Sequence, residues 1–223
     1  MMKICFVIVT HNRRPDFNNL ISSIEDNIDT FVKYNVDVVV VDNESDVPVK
    51  SSHLYKLHRV EDQDAGGGLV GAWEFITTTY IRDYNYFIYS NHDVILNGSI
   101  AQYFKALIDN DDHFVLGPSS HIDGANPHQI APYTEDGNVD INTHEKLPKE
   151  RDLIHGFFWG TNVRSLQAAK YSTYRFFNPH KPFGGSEDDW QFRLLGRQPE
   201  TRFLVERTAF VTHRHYSDWK TRG

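Results

Sequence analysis

Residues whose types and spacing could do chemistry gather at five points of this 223-residue chain. Asp93 follows the apolar run Tyr86–Tyr89 and precedes Val94-Ile95-Leu96. A carboxylate just past the carboxyl end of a buried strand projects into the crevice where open α/β sheets bind ligands. It is a hard oxygen donor, suited to Mg²⁺ or Mn²⁺ that also holds a diphosphate, although an Asp there also serves as a turn residue or cap. Gly184-Gly185-Ser186-Glu187-Asp188-Asp189-Trp190, with Arg193 beyond, reads as a helix start. With Ser186 as the N-cap, the three acids are favoured by the helix dipole and stay solvated. Turned back into a site, one of them is a general base for a hydroxyl. The glycines would let backbone come close to a sugar.

His213 and His215 are two apart in Val211-Thr212-His213-Arg214-His215, on one face if this is a strand. Either can bind a metal through neutral imidazole. The chain has 12 His, so most must be structural or exposed. Gly66-Gly67-Gly68, with Gly71, precedes a helical pattern and can cradle phosphate. It is not a G-x-G-x-x-G after a strand, and no G-x-x-x-x-G-K-[ST] occurs, so dehydrogenase and P-loop readings fail. Asp42-Asn43-Glu44-Ser45-Asp46 offers acceptors to a ribose or base edge, or is a polar loop between strand and helix.

These residues need a frame, and the first third alternates strand and helix signals. Lys3–Val9 is a short β-branched run ending at Thr10-His11-Asn12. Pro15 suits a first helical turn, and Phe17, Leu20, Ile21, Ile24, Ile28 and Phe31 give residues 15–34 one apolar helical face. Val36–Val41 is a second strand. A helix follows the glycine run, with Leu69, Trp73, Ile76 and Tyr80 on one face. Tyr86–Tyr89 is a central strand, Ser99–Asp109 a helix and Phe114–Leu116 a strand. Residues 119–150 are rich in Asp, His, Asn, Pro and Gly without periodicity, which suggests a functional loop. Leu153–Val163 reads as a strand, Glu187–Leu195 as a helix, and Arg202–Val205 and Ala209–Thr212 as two edge strands. The expectation is one α/β domain with a mixed, mostly parallel central sheet flanked by helices. Residues 1–98 would form a nucleotide-sugar-binding half and 99–223 an acceptor-binding and catalytic half.

Composition narrows the partners. Hydrophobic residues make up 39% and charged residues 24%, an ordinary globular balance. A net charge of −7 without a Lys/Arg stripe argues against nucleic acid as a partner. The single Cys5 excludes an internal disulfide framework and a cysteine zinc site. No apolar run is long enough for a transmembrane segment, and the N-terminal run is too short for a signal peptide. The expected setting is cytoplasmic.

The order of these signals resembles the GT-A fold glycosyltransferases, family-2-type above all, with some flavour of the galactosyl- and N-acetylgalactosaminyltransferases. The ordered set is a first strand ending in Thr10-His11-Asn12-Arg13 and a second in Val41-Asp42-Asn43-Glu44-Ser45. A glycine-rich loop, a strand leading to Asp93 and the late Glu187-Asp188-Asp189-Trp190 with Arg193 complete it, and the resemblance covers roughly residues 3–215.

The resemblance implies roles. Thr10 and Asp42 match positions that contact the nucleotide. Asp64 and Gly66 fall beside the donor. Asn91-His92-Asp93 matches the DXD motif with Asn91 in place of its first acid, which leaves the direct contact to Mn²⁺ or Mg²⁺ with Asp93. His213 matches a late metal-ligating His, with His215 as alternative. The stretch Gly156–Asn162 faces the acceptor, Trp159 being a stacking platform for a sugar. Anchored on Arg193, the acid pattern makes Glu187 the base and Asp189 its third, acceptor-side acid; read literally, the Glu-Asp pair makes Asp188 the base.

The implied reaction is inverting transfer from a nucleotide-sugar donor, UDP by preference, to a glycan or other hydroxyl acceptor. A retaining transferase, or a sugar-binding module that lost turnover, are the alternatives. A sugar-1-phosphate nucleotidyltransferase fits poorly, because Thr10–Arg14 holds no glycine. The resemblance allows a homodimer without requiring one.

Overall fold

The structure, a computed structural model, describes residues 2–12, 14–60, 68–120, 129, 138–140, 153–181 and 185–213. Its elements run β1 (Ile4–Thr10), α1 (Arg14–Glu25), α2 (Ile28–Lys33), β2 (Val36–Asn43), β3 (Lys56–Val60), α3 (Gly68–Tyr80), β4 (Tyr86–Asn91) and β5 (Val94–Leu96). Then come α4 (Ile100–Ile108), β6 (Phe114–Ser119), β7 (Asn138–Asp140), β8 (Phe158–Asn162), α5 (Val163–Ala168), α6 (Ser186–Arg197) and β9 (Arg202–His213).

One sheet carries the order β3-β2-β1-β4-β8-β6-β9-β5, with β7 added on β9. The β3-β2-β1-β4 half is parallel. In the other half β8 is antiparallel to both β4 and β6, β9 is parallel to β6, and β5 and β7 are antiparallel to β9. Helices cover both faces, which is why β1 is buried at every position and apolar from Ile4 to Val9. Ile4, Phe6 and Ile8 join the core shared with α1, α2 and α4, while Cys5, Val7 and Val9 join the one shared with α3 and α6. Cys5 is buried, and burial pushes its thiol up, so it is no nucleophile at neutral pH.

The short strands β5 and β7 are unmarked in the sequence reading, and β8 is shorter than the expected Leu153–Val163 strand; four further elements differ from the expectation. The single helix over 15–34 is two, because Asn27 closes α1: its backbone N–H donates to the Ile24 carbonyl at 3.0 Å and its side-chain amide to the Ser23 carbonyl at 2.7 Å. Strand β3 was hidden because Lys-Leu-His-Arg-Val is half exposed at a sheet edge and carries a weak apolar signal. α5 escaped because it is six residues long, started by Asn162, whose side chain accepts from Ser165 N–H. The two expected edge strands after Arg202 are one interior strand, β9. Its register on β6 jumps from Pro118 opposite Glu206 to Ser119 opposite Phe210. Ser119 Oγ donates to the Arg207 and Ala209 carbonyls, at 3.0 Å each, and so fastens this bulge. The bend carries the end of β9 onto β5, with His213 opposite Val94.

Candidate active site

β1, β2 and β4 end side by side, with Thr10 opposite Asp42 and Val9 opposite Asn91. Their shared carboxyl edge is where a ligand of such a sheet binds. Thr10 is buried there. Asp42 is 1% exposed and its carboxylate is already engaged: it accepts from Ser45 N–H at 3.0 Å and from Val49 N–H at 2.9 Å. Asp42 thereby braces the loop after β2, and an ionised carboxylate has about four acceptor sites in all.

That loop is knitted to the one after β1. Asn12 takes φ +55° and Glu44 φ +52°, both left-handed. Asn12 N–H donates to Ser45 Oγ at 3.0 Å, and the Asn12 side chain accepts from Asp46 N–H at 2.7 Å. His11 Nδ1 lies 2.7 Å from the Asn43 carbonyl and must carry the proton, since a carbonyl only accepts. The same reasoning protonates His92 Nδ1, 3.2 Å from the Val9 carbonyl. His92 thus ties the turn after β4 to the end of β1.

Asp93 and His213 meet beyond that turn. Asp93 Oδ1 is 3.1 Å from His213 Nε2, and the side chains are 6% and 2% exposed. Phe157 stacks on the His213 ring, with centroids 5.0 Å apart and planes 16° from parallel. Burial pushes the Asp93 carboxyl up, but the hydrogen bond and charge of His213, with the charge of His92, outweigh it and hold Asp93 below its ordinary value. A buried anion beside an imidazole suits a borderline divalent cation such as Mn²⁺. Two donors bound about 2.1 Å from one octahedral ion stand about 3 Å apart, so the pair can share an ion without large movement. Among the described residues no third His, Cys, Asp or Glu joins them, so other positions would fall to ligand or water oxygens. Asp93 and His213 are the residues that could hold such an ion here, as two of its ligands. His215, like Asp64 and Gly66, lies outside the described residues.

The acid cluster opens α6. Gly185, not Ser186, is the N-cap, at φ +76°, a left-handed conformation that favours glycine. Glu187 lies against Gly156: a Cβ added to Gly156 would collide with Glu187 Oε1 and Cδ and stand 2.8 Å from its Cγ. The next residue, Phe157, accepts at its carbonyl from Asn91 N–H at 2.9 Å and stacks on His213. The stretch 155–157 therefore joins Glu187 to the Asp93–His213 pair. His155 beside it is held near pH 4, first by burial and then by the charge of His213, and is neutral at pH 7.

One expected acceptor contact, Trp159, is corrected. Trp159 is fully buried in the sheet's interior. It stacks on Tyr89 at 4.5 Å and packs on Trp190 at 5.1 Å and Trp73 at 5.8 Å, which leaves no face for a sugar. With β8 buried throughout, the approach at 155–157, not Phe158–Asn162, reaches the site. Asp189 pairs with Arg193 and accepts from the Asn178 side chain at 3.3 Å, so it is engaged within the protein. Gly156 and Phe157 enter the sequence reading only as part of the stretch Gly156–Asn162, without individual roles, because their importance lies in Glu187 and His213, distant along the chain.

Among the described residues no helix is long and apolar enough to cross a membrane. No family model and no curated protein matches the sequence. Solved structures do match the fold. S. aureus TarS 1–349 superimposes with a TM-score of 0.64 at 15% identity, covering 99% of this chain and 63% of that one. GalNAc-T7, solved with UDP, GalNAc and Mn²⁺, gives 0.64 at 15% identity, covering 96% of this chain and 44% of that one. TarS 1–349 in complex with UDP-GlcNAc gives 0.62 at 15%, covering 96% and 59%. This chain thus spans under two thirds of the length of each of these structures. These neighbours are glycosyltransferases, and the chain has the α/β fold of the GT-A group.

Proposed function

We propose that this chain is an inverting glycosyltransferase that moves a sugar from a nucleoside diphosphate, preferably UDP, to a hydroxyl of a glycan or similar acceptor. The observation that carries the reading is the junction at Gly156 and Phe157. It sets a carboxylate, Glu187, beside the strand approach that also holds Asn91 and His213. Support comes from neighbours solved with UDP, with UDP-GlcNAc, and with UDP, GalNAc and Mn²⁺.

The donor's nucleotide would lie across the carboxyl ends of β1, β2 and β4, within residues 1–98, along the loops that Asp42, Asn12 and His92 stiffen. Asp93 and His213 would hold Mn²⁺ or Mg²⁺. A bound divalent cation supplies charge neutralisation for a leaving diphosphate. Glu187, from the 99–223 half, takes the proton of the attacking acceptor hydroxyl at its carboxylate. Its place against Gly156 favours it over Asp188 as the base.

The test is turnover of UDP-GlcNAc, UDP-GalNAc, UDP-glucose and UDP-galactose with Mn²⁺, with product configuration read by NMR. One donor should be consumed with inversion. Glu187→Gln should lose about 10²- to 10⁴-fold in kcat, the usual worth of a general base, and Asp188→Asn under about fivefold. Product with retained configuration, with Glu187→Gln near wild type, would point to a retaining enzyme. Nucleotide binding without any turnover would point to a binding module.

A further inference from the structure

We propose, resting on the transferase reading, that Glu74 is a positioning residue: from α3 it fixes the segment that orients the first turn of α6, and with it Glu187. Its Oε2 accepts two successive backbone N–H groups, Phe176 at 2.9 Å and Phe177 at 3.0 Å. Such charge-assisted bonds to backbone are stronger than neutral ones. The same strand of chain is gripped from α6. Arg193 Nη2 donates to the Phe176 carbonyl at 3.1 Å and Nε to the Ala169 carbonyl at 3.1 Å.

Arg193 in turn pairs with Asp189, one helical turn earlier, and Asp189 accepts from Asn178. Asp189 N–H closes the first turn of α6 onto the Gly185 carbonyl at 3.1 Å. The path from Glu74 thus runs through Phe176–Asn178 to Asp189 and Arg193. Those residues lie on the face of α6 away from Gln191, whose side chain bonds both backbone groups of Ile154 at 2.9 and 2.8 Å. Two grips on opposite faces fix the helix's rotation, and rotation decides whether Glu187 meets Gly156. Trp73, one residue before Glu74, packs on Phe177 at 5.6 Å and on Trp159 at 5.8 Å, so the backbone under Glu74 is rigid. The sugar does not need Glu74; the geometry of the base does.

The experiment uses Glu74→Ala and Glu74→Gln in the full chain, with melting temperature and circular dichroism as controls. Hydrogen exchange is followed at residues 176–181 and 189–193, alongside UDP affinity with Mn²⁺ and transfer kcat. Glu74→Ala should speed exchange in both segments and lower kcat by about 10- to 100-fold, as displacement of about an ångström does, with UDP affinity unchanged within twofold. Glu74→Gln keeps an accepting oxygen and should restore kcat to within about fivefold of wild type. Faster exchange confined to 176–181, or a kcat that follows only the loss of melting temperature, overturns the proposal. If wild type transfers no sugar, the exchange arm still decides whether Glu74 orders α6, and the transferase reading alone falls.

Discussion

His213 Nε2 stands 3.1 Å from Asp93 Oδ1 because β9 bends at the Pro118/Ser119 bulge and then runs antiparallel to β5. The contact depends on topology as much as on residue type. A straight β9 would carry its last residues along β6, away from the turn after β4. Phe157 fixes the plane of the imidazole by stacking on it, and its carbonyl holds Asn91. The sheet's two halves meet at this point.

Gly156 leaves room for Glu187, and Gly156→Ala should show it. The new methyl would overlap the Glu187 carboxylate and Cγ. The flexible end of Glu187 can swing away, so the cost falls on function more than on folding. Transfer kcat should drop by about 100-fold while the melting temperature moves by only a few degrees and UDP affinity stays the same. Steady-state kinetics and a thermal melt on the same variant check this.

Trp159 should behave as core. Trp159→Ala removes a fully buried indole from between Tyr89, Trp190 and Trp73. The expected loss is about 3–5 kcal/mol in chemical denaturation. Trp159→Phe should fold and leave the acceptor KM unchanged within twofold. A large rise in acceptor KM with unaltered stability would restore Trp159 as a sugar platform.

Stability should also titrate at the far edge of the sheet. Burial pushes the Asp37 carboxyl up, but hydrogen bonds from Lys3 and Tyr84, with the charges of Lys3 and Lys56, bring it below its ordinary value. Lys3 Nζ and Tyr84 Oη are each 2.8 Å from Asp37 Oδ2. A carboxyl lowered on folding contributes stability above its unfolded pKa of about 4 and loses it as pH falls through the folded value. Asp37→Asn should therefore cost under about 1 kcal/mol at pH 7, since the side chain is 35% exposed, and progressively less as pH falls through the folded value. Urea melts of both proteins at pH 7, 4 and 2 measure the difference.

The sequence was most legible where burial is two-sided. β1, β2 and β4 are apolar runs because helices cover both faces, and α4 shows its periodicity because only one face is buried. Asp93, His213 and Glu187 could be picked out by type, and the structure brings them to one region. Trp159 was misjudged, and Asp42 and Asp189 turned out to have partners inside the protein, for one shared reason. A polar or aromatic residue near a site can serve the protein's own loops and core, and its partners here, Val49, Arg193 and Trp190, are set by tertiary packing. Gly156 was legible only as one end of the stretch Gly156–Asn162, because its need for no side chain comes from Glu187 on another element.

The most direct measurement is calorimetric titration of UDP, with and without Mn²⁺, into wild type, Asp93→Ala and His213→Ala. The account predicts UDP binding that Mn²⁺ tightens at least tenfold in wild type, with that gain lost in both variants while their melting temperatures in chelator show a folded protein. UDP binding that ignores Mn²⁺, or a Mn²⁺ gain that survives both substitutions, would contradict it.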